Sequence, residues 1–150
     1  GTGQAVSYLI SHQAYGKAKS NPSISLTWEE ILKKSQADRS RAGWHVAQFL
    51  KLVDEHFKKE HSVRFYAKML PINADHLRQA CKKVLNMPPR CCIASRLVFE
   101  AGPLIVNNHL TIGELSFMLG YKTQSHFDHI FKKHTGLNPT DFRESAWKSN

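Results

Sequence analysis

Thr111-Ile112-Gly113-Glu114-Leu115-Ser116-Phe117-Met118-Leu119-Gly120-Tyr121-Lys122-Thr123-Gln124-Ser125-His126-Phe127-Asp128-His129-Ile130-Phe131-Lys132-Lys133-His134-Thr135-Gly136 reads as helix, tight turn, helix. Thr111 with Glu114 three residues on is a capping box, which satisfies amides that a helix start leaves without partners. Leu115, Met118 and Leu119 predict a buried stripe on the first helix. Gly120 stands where a left-handed exit ends it. Thr123 or Ser125 starts the next helix, with Phe127, Ile130 and Phe131 expected inward, and Gly136 and Pro139 close the unit.

The same pattern occurs about fifty residues upstream, and self-similarity at such a period marks a repeated structural unit. Ser62-Val63 aligns with Thr111-Ile112, Ala67 with Ser116, Met69-Leu70 with Met118-Leu119, and Pro71 with Gly120. With one extra residue allowed in the downstream turn, Leu77 falls on Phe127, Cys81 on Phe131, Lys82-Lys83 on Lys132-Lys133, Asn86 on Gly136 and Pro89 on Pro139. Small, apolar, turn and basic positions agree in kind. In this copy Ser62 caps a short helix through Leu70. Pro71 stops it, because proline disfavours helix in the residue before it. Asn73 caps the second helix, whose apolar positions Leu77, Cys81 and Val84 share a face. Two short helices joined by a tight turn form a helix-turn-helix. One copy is weak evidence, and two with matching basic residues are far stronger.

Outside the repeat, Val46, Phe49, Leu50, Val53 and Phe57 follow the helical spacing of an amphipathic helix, roughly 44 to 59. Ile93, Leu97, Ala101, Leu104 and Ile105 form a stripe for a connecting helix that starts near Pro89. Gly102-Pro103 interrupts it, and because proline inside a helix costs about 3 kcal/mol, this connector is expected to be kinked or split. Thr27-Trp28-Glu29-Glu30 is another capping box for a short helix to about Ala37. Pro139 to Lys148 suggests a final helix with Phe142 and Trp147 inward. Trp44 is read as either core or linker packing. Residues 1 to about 26 look like a tail or linker.

The expected fold class is therefore all-α: two helix-turn-helix subdomains joined by a connecting helix, with an N-terminal linker or extra helix. The expected boundaries are 1–40 for the tail or linker, 41–88 for the first subdomain, 89–108 for the connector and 109–146 for the second subdomain.

Composition narrows the function. The 150 residues are 41% hydrophobic, which supports a real core and excludes a chain disordered by composition. Lysine and arginine number 21 against 12 acidic residues, for a formal charge of +9, and this favours nucleic acid or an anionic surface as partner. No apolar run approaches the roughly 18 residues of a membrane span, and no signal-peptide order opens the chain. Cys81, Cys91 and Cys92 make neither a disulfide framework nor a four-ligand zinc site, so they are read as reduced cytosolic thiols partly in the core. The Gly-Thr-Gly opening, without methionine, reads as a processed or engineered end.

Several runs together carry a resemblance. They are Ile112-Gly113-Glu114-Leu115-Ser116, Leu119-Gly120-Tyr121, Ser125-x-Phe127, Phe131-Lys132-Lys133, Thr135-Gly136-Leu137-Asn138-Pro139 and Phe142-Arg143. In order and spacing they resemble the signature of the AraC/XylS family of transcription regulators, and Phe49 to Pro89 matches more loosely. Departures are Ser116 where the family usually has alanine, Gly102-Pro103 where it has a basic residue followed by leucine, Cys81 where it favours an aromatic, and Asn86 for the first unit's usual glycine.

The resemblance implies about seven helices, with the second helix of each unit (about 73–85 and 124–134) entering a major groove. Base readers must be long or polar side chains on the outer face near the start of such a helix. Those are Asn73, Asp75, Arg78 and Gln79 in the first, and Gln124, Ser125, His126, Asp128 and His129 in the second. Arg78 suits guanine and Gln79 adenine, while Asp75 either accepts from cytosine or orients Arg78. Lys82, Lys83, Lys132 and Lys133 suit phosphate, as do the backbone amides at the helix starts near Ser62 and Thr111.

For any one charged residue, plain solvation competes evenly with a DNA contact; as sets, the outer faces and the repeated lysine pairs favour DNA. His126-x-x-His129 has one-turn metal spacing but no third ligand, so no metal and no cofactor is expected. Tyr66, Phe127 and Phe131 are expected in the core rather than as a base-stacking platform.

The expected function is sequence-specific double-stranded DNA binding for transcription regulation, without catalysis. A helical protein-interaction module is one alternative. A DNA-repair alkyl transferase fragment using Cys91-Cys92 is another, disfavoured because no base-and-orienter arrangement surrounds those thiols. By family resemblance the protein is an activator that contacts RNA polymerase, in the cytoplasm on the nucleoid and away from membranes. The chain is read as an excised C-terminal part, monomeric by itself, with any effector ligand bound upstream, or else as a stand-alone short regulator.

Overall fold

The computed structural model describes residues 26–148, so residues 1–25 of the expected 1–40 tail or linker lie outside the described residues. Among the described residues all regular structure is helical: α1 Trp28–Ala37, α2 Arg41–His56, α3 Val63–Met69, α4 Ala74–Leu85, α5 Pro89–Asn107, α6 Ile112–Met118, α7 Gln124–Thr135 and α8 Pro139–Lys148. They fall into two compact units, an upstream one ending at Arg96 and a downstream one beginning at Leu97, with the division inside α5.

In the upstream unit the helix starts are set by side-chain caps. The oxygens of Thr27, Ser40, Ser62 and Asn73 accept from the backbone N–H of Glu30, Gly43, Phe65 and His76, each such cap contributing about 1 kcal/mol. Gly43 is obligatory at the first turn of α2, because a Cβ there would lie 2.2 Å from the Asp38 carbonyl oxygen. Ile31, Val46, Phe49, Tyr66 and Leu77 are wholly buried. Tyr66 meets the Phe49 ring edge-on at 5.6 Å, and its hydroxyl donates to the Glu60 carbonyl at 2.8 Å. A buried tyrosine keeps its place here because its polar tip has an acceptor. Arg96, in α5, donates to Asp54 on α2 at 2.7 Å and lies 4.1 Å over the Phe57 ring, fixing that helix's first half. Trp44 stands outside the core, 60% exposed.

The downstream unit is built on aromatics. Phe131 packs between Phe127 at 5.8 Å and Phe142 at 5.2 Å, and Tyr121 lies 5.6 Å from Phe127. Leu115, Leu119 and Ile105 complete the core. Three inward expectations are corrected. Met118 is 56% exposed because its α6 stripe needs only Leu115 and Leu119, and Ile130 is half-buried. Trp147 is 49% exposed: its ring lies against the Arg143 guanidinium at 5.5 Å while Nε1 donates to the Val106 carbonyl at 3.1 Å.

Of the two expectations for the connector, the split is not seen: α5 runs through Pro103 to Asn107. Proline costs about 3 kcal/mol in a helix interior, but Val98, Ala101, Ile105 and Val106 are buried beside it. Burial of a large aliphatic side chain contributes about 1.5–3 kcal/mol each, enough to outweigh that cost. The end of α5 is tied down from α8. Arg143 Nε donates to Ile105 O at 2.7 Å, and its Nη2 donates to Leu110 O at 2.8 Å and Asn108 O at 3.2 Å.

Candidate nucleic-acid interface

Each unit presents one twelve-residue helix with a buried face and a polar face. On α4, Leu77, Ala80, Cys81, Val84 and Leu85 are buried, so helical spacing turns Asp75, Arg78, Gln79, Lys82 and Lys83 to the surface, where all five are exposed, as is the cap Asn73. Arg78 Nη1 donates to Asp75 Oδ1 at 2.7 Å. That pair is 55% and 85% exposed. An exposed pair contributes little stability, and the contact sets the two side chains together on the outer face. Of the two roles open to Asp75, orienting Arg78 is the one this geometry matches.

On α7, Phe127, Phe131, His134 and Thr135 are buried, while Gln124, Ser125, His126, His129, Lys132 and Lys133 are exposed. Thr123 is the cap, and its Oγ1 accepts from His126 N at 3.2 Å. The His126 ring meets Tyr121 edge-on at 5.2 Å, which steadies a side chain on the outer face. Asp128 departs from the expected outer face. It is half-buried, and its Oδ1 is enclosed without a hydrogen-bond partner. Ser62 and Thr111 are exposed, and each accepts a hydrogen bond from its own helix, at 3.3 and 3.0 Å.

The sequence reading missed a cluster beside Asn73. The exposed His76 ring lies 5.0 Å from His45, whose ring nitrogens are both buried without partners. Enclosure first, then the neighbouring His76 and Arg41, hold the His45 pKa below the usual histidine value. His45 lies three residues before Gln48 and next to Val46 on the core face of α2, where periodicity alone marks a core position rather than this pairing.

Two of the three thiols, Cys81 and Cys92, are placed for packing, and Cys91 is half-buried. Cys81 and Cys92 are wholly buried, and a hydrogen bond with Cys81 that favours the protonated thiol, followed by burial, pushes the Cys92 pKa well up. This is the reverse of an activated thiolate. Among the described residues no group of three histidine, cysteine or acidic side chains is arranged to hold a metal ion, and no helix is long and apolar enough to cross a membrane.

Comparison with known proteins adds to this geometry. The sequence model of the "Helix-turn-helix domain" family matches residues 66–145, more than half of the 150-residue chain. The HTH-type transcriptional regulator ExsA of Pseudomonas aeruginosa is 20% identical over 106 residues, 71% of this chain and 38% of that protein. The uncharacterised HTH-type transcriptional regulator YisR of Bacillus subtilis is 22% identical over 71% of this chain and 36% of its own length. The lactose operon transcription activator of Staphylococcus xylosus is 25% identical over 61% of this chain and 33% of its own. The chain thus spans about a third of the length of the curated relatives it matches. Among solved structures, the C-terminal domain of AraT, a response regulator from Geobacillus stearothermophilus, shares the fold with a TM-score of 0.64 at 24% identity, over 71% of this chain and 88% of that one.

Proposed function

The chain belongs to the AraC/XylS family of helix-turn-helix transcription regulators and holds its DNA-binding region, and from that premise we propose that α4 and α7 are its two reading helices, each entering a major groove of double-stranded DNA. The observation that carries this reading is the repeated exposed polar face of those helices over a buried apolar one. Arg78 makes bidentate contact with guanine and Gln79 with adenine, while Asp75 orients Arg78. Asn73, Gln124, Ser125, His126 and His129 supply further base contacts. Asp128 is proposed with them as a base contact from its place on α7, and being half-buried it is the least accessible of the set. Lys82, Lys83, Lys132 and Lys133, with the helix starts at Ser62 and Thr111, hold phosphates and set the salt dependence.

The protein's role is binding, with no chemistry at Cys92, which its hydrogen bond with Cys81 and then burial keep protonated. Its setting is the nucleoid, and its partner in the transcription machinery is RNA polymerase. Selection of bound duplexes from a random 30-base-pair library, followed by affinity against salt, tests the reading. Two enriched short motifs support two reading helices. One motif means that only one unit reads bases. Binding without enrichment that vanishes at modest salt overturns the reading.

A further inference from the structure

Gly113 occupies the second position of α6, where glycine destabilises a helix relative to alanine. A Cβ built on it would lie 3.2 Å from Gln124 Oε1 and 3.8 Å from Thr111 Oγ1. Gln124 is the first residue of α7 and one of the side chains placed on the reading face. Its carboxamide therefore folds back over α6, into space that a side chain at position 113 would crowd. The repeat gives this arrangement a counterpart. By the alignment of Ser62 with Thr111 and of Leu77 with Phe127, Arg64 stands where Gly113 does and Ala74 where Gln124 does. The upstream unit takes the long side chain from its first helix and the short one from its reading helix; the downstream unit exchanges them.

We propose that Gly113 is a specificity-setting positioning residue, whose missing side chain forms a slot that holds the Gln124 carboxamide against α6. The inference rests on α7 being the downstream reading helix. A carboxamide recognises adenine by using its oxygen and its nitrogen together on one base edge. On this proposal the seat over α6 leaves Gln124 a single-point base contact in place of that two-point one. Gly113→Ala crowds the seat by a few tenths of an ångström, and the flexible amide end is what yields.

The test is library selection with the wild-type chain, Gly113→Ala, Gln124→Ala and the double variant, beside thermal unfolding. The expected result is an enrichment of adenine of at least fivefold at one position of the downstream motif in Gly113→Ala. The rest of the motif and the salt slope stay unchanged, and the thermal midpoint is equal or higher because alanine favours helix. In the Gln124→Ala background the same glycine replacement changes nothing. An unchanged preference in Gly113→Ala overturns the slot while leaving the reading helix standing. A shift that persists without Gln124 also overturns it, and so does a variant that fails to fold, since the space would then be closed by more than the amide. If the wild type enriches nothing while the chain is folded, the reading of α7 fails, and the slot with it.

Discussion

The downstream unit closes its two turns with glycine, at Gly120 and Gly136, both at φ 87°, where the upstream unit has Pro71 and, at φ 56°, Asn86. At the turn after each longer helix the backbone path is the same in kind, left-handed at both Asn86 and Gly136, while the residues differ. Asparagine is the ordinary substitute for glycine in the left-handed region. The cores differ more. Position for position, Cys81 and Val84 in α4 stand against Phe131 and His134 in α7. The upstream unit recovers the lost aromatic volume from elsewhere: Trp28 on α1, Phe49 on α2 and Tyr66 on α3 are all buried. A repeat thus constrains which positions face inward and where the chain turns, while packing volume can be supplied by any element that reaches the core.

The largest test of this contrast is truncation of the paired core positions. Phe131→Ala removes a wholly buried ring from between Phe127 and Phe142 and is expected to cost about 3–5 kcal/mol in urea denaturation. Cys81→Ala, at the equivalent wholly buried position, removes one sulfur and is expected to cost about 1 kcal/mol. Equal losses would mean that the upstream unit's other aromatics do not relieve position 81.

Position 134 gives the next effect. Burial lowers the His134 pKa to about 4. The unfolded chain binds that proton at the ordinary value of about 6.5, so between these pH values the unfolded state holds more protons. The stability that neutral His134 allows is complete above about pH 6.5 and is lost as pH falls towards 4. From pH 7 to pH 5 this amounts to about 2 kcal/mol. Val84 fills the matching upstream place with no such group, so His134→Val should flatten the acid limb of stability measured by urea denaturation at several pH values. His45, also held below its usual pKa, leaves a residual slope of the same sign. An unchanged pH profile in His134→Val would assign the acid sensitivity elsewhere.

Much of this was legible in the sequence because capping residues and helical spacing are local. Thr27, Ser62, Asn73, Thr111 and Thr123 all mark helix starts, and the polar faces of α4 and α7 follow from their buried ones. What escaped depends on neighbours far along the chain. Pro103 signals a break, and only the burial along α5 overrides it. Arg143 resembles a surface cation in the sequence but ties the end of α5 through three carbonyls. Trp147 and Met118 have the right spacing for a core but are each left about half exposed. Gly113 resembles an incidental glycine until Gln124 is seen over it.

On DNA, the division between readers and positioners predicts two different responses. Arg78→Ala should cost roughly 1–3 kcal/mol and relax preference at one base pair. Lys132→Ala should weaken binding evenly across sequences and reduce the salt slope by about one. Competition binding on the selected duplex and its single-base variants, at three salt concentrations, separates them. If both substitutions behave alike on every duplex, α4 does not read bases through Arg78, and the proposed division is wrong.

The smallest effect returns to the turns. Gly136 and Asn86 each end a proposed reading helix with a left-handed residue. Gly136→Ala places a Cβ at φ 87° and should cost about 1–2 kcal/mol. Asn86→Gly relieves a smaller strain, and the added freedom of the unfolded chain offsets it, so its net change should stay under about 1 kcal/mol in either direction. Thermal unfolding of the two variants measures the asymmetry. A large gain from Asn86→Gly would mean that the upstream turn is strained beyond what asparagine tolerates. The two units would then differ in backbone as well as in side chains, and the repeat would be a poorer guide to where Arg78 is held than it is for α7.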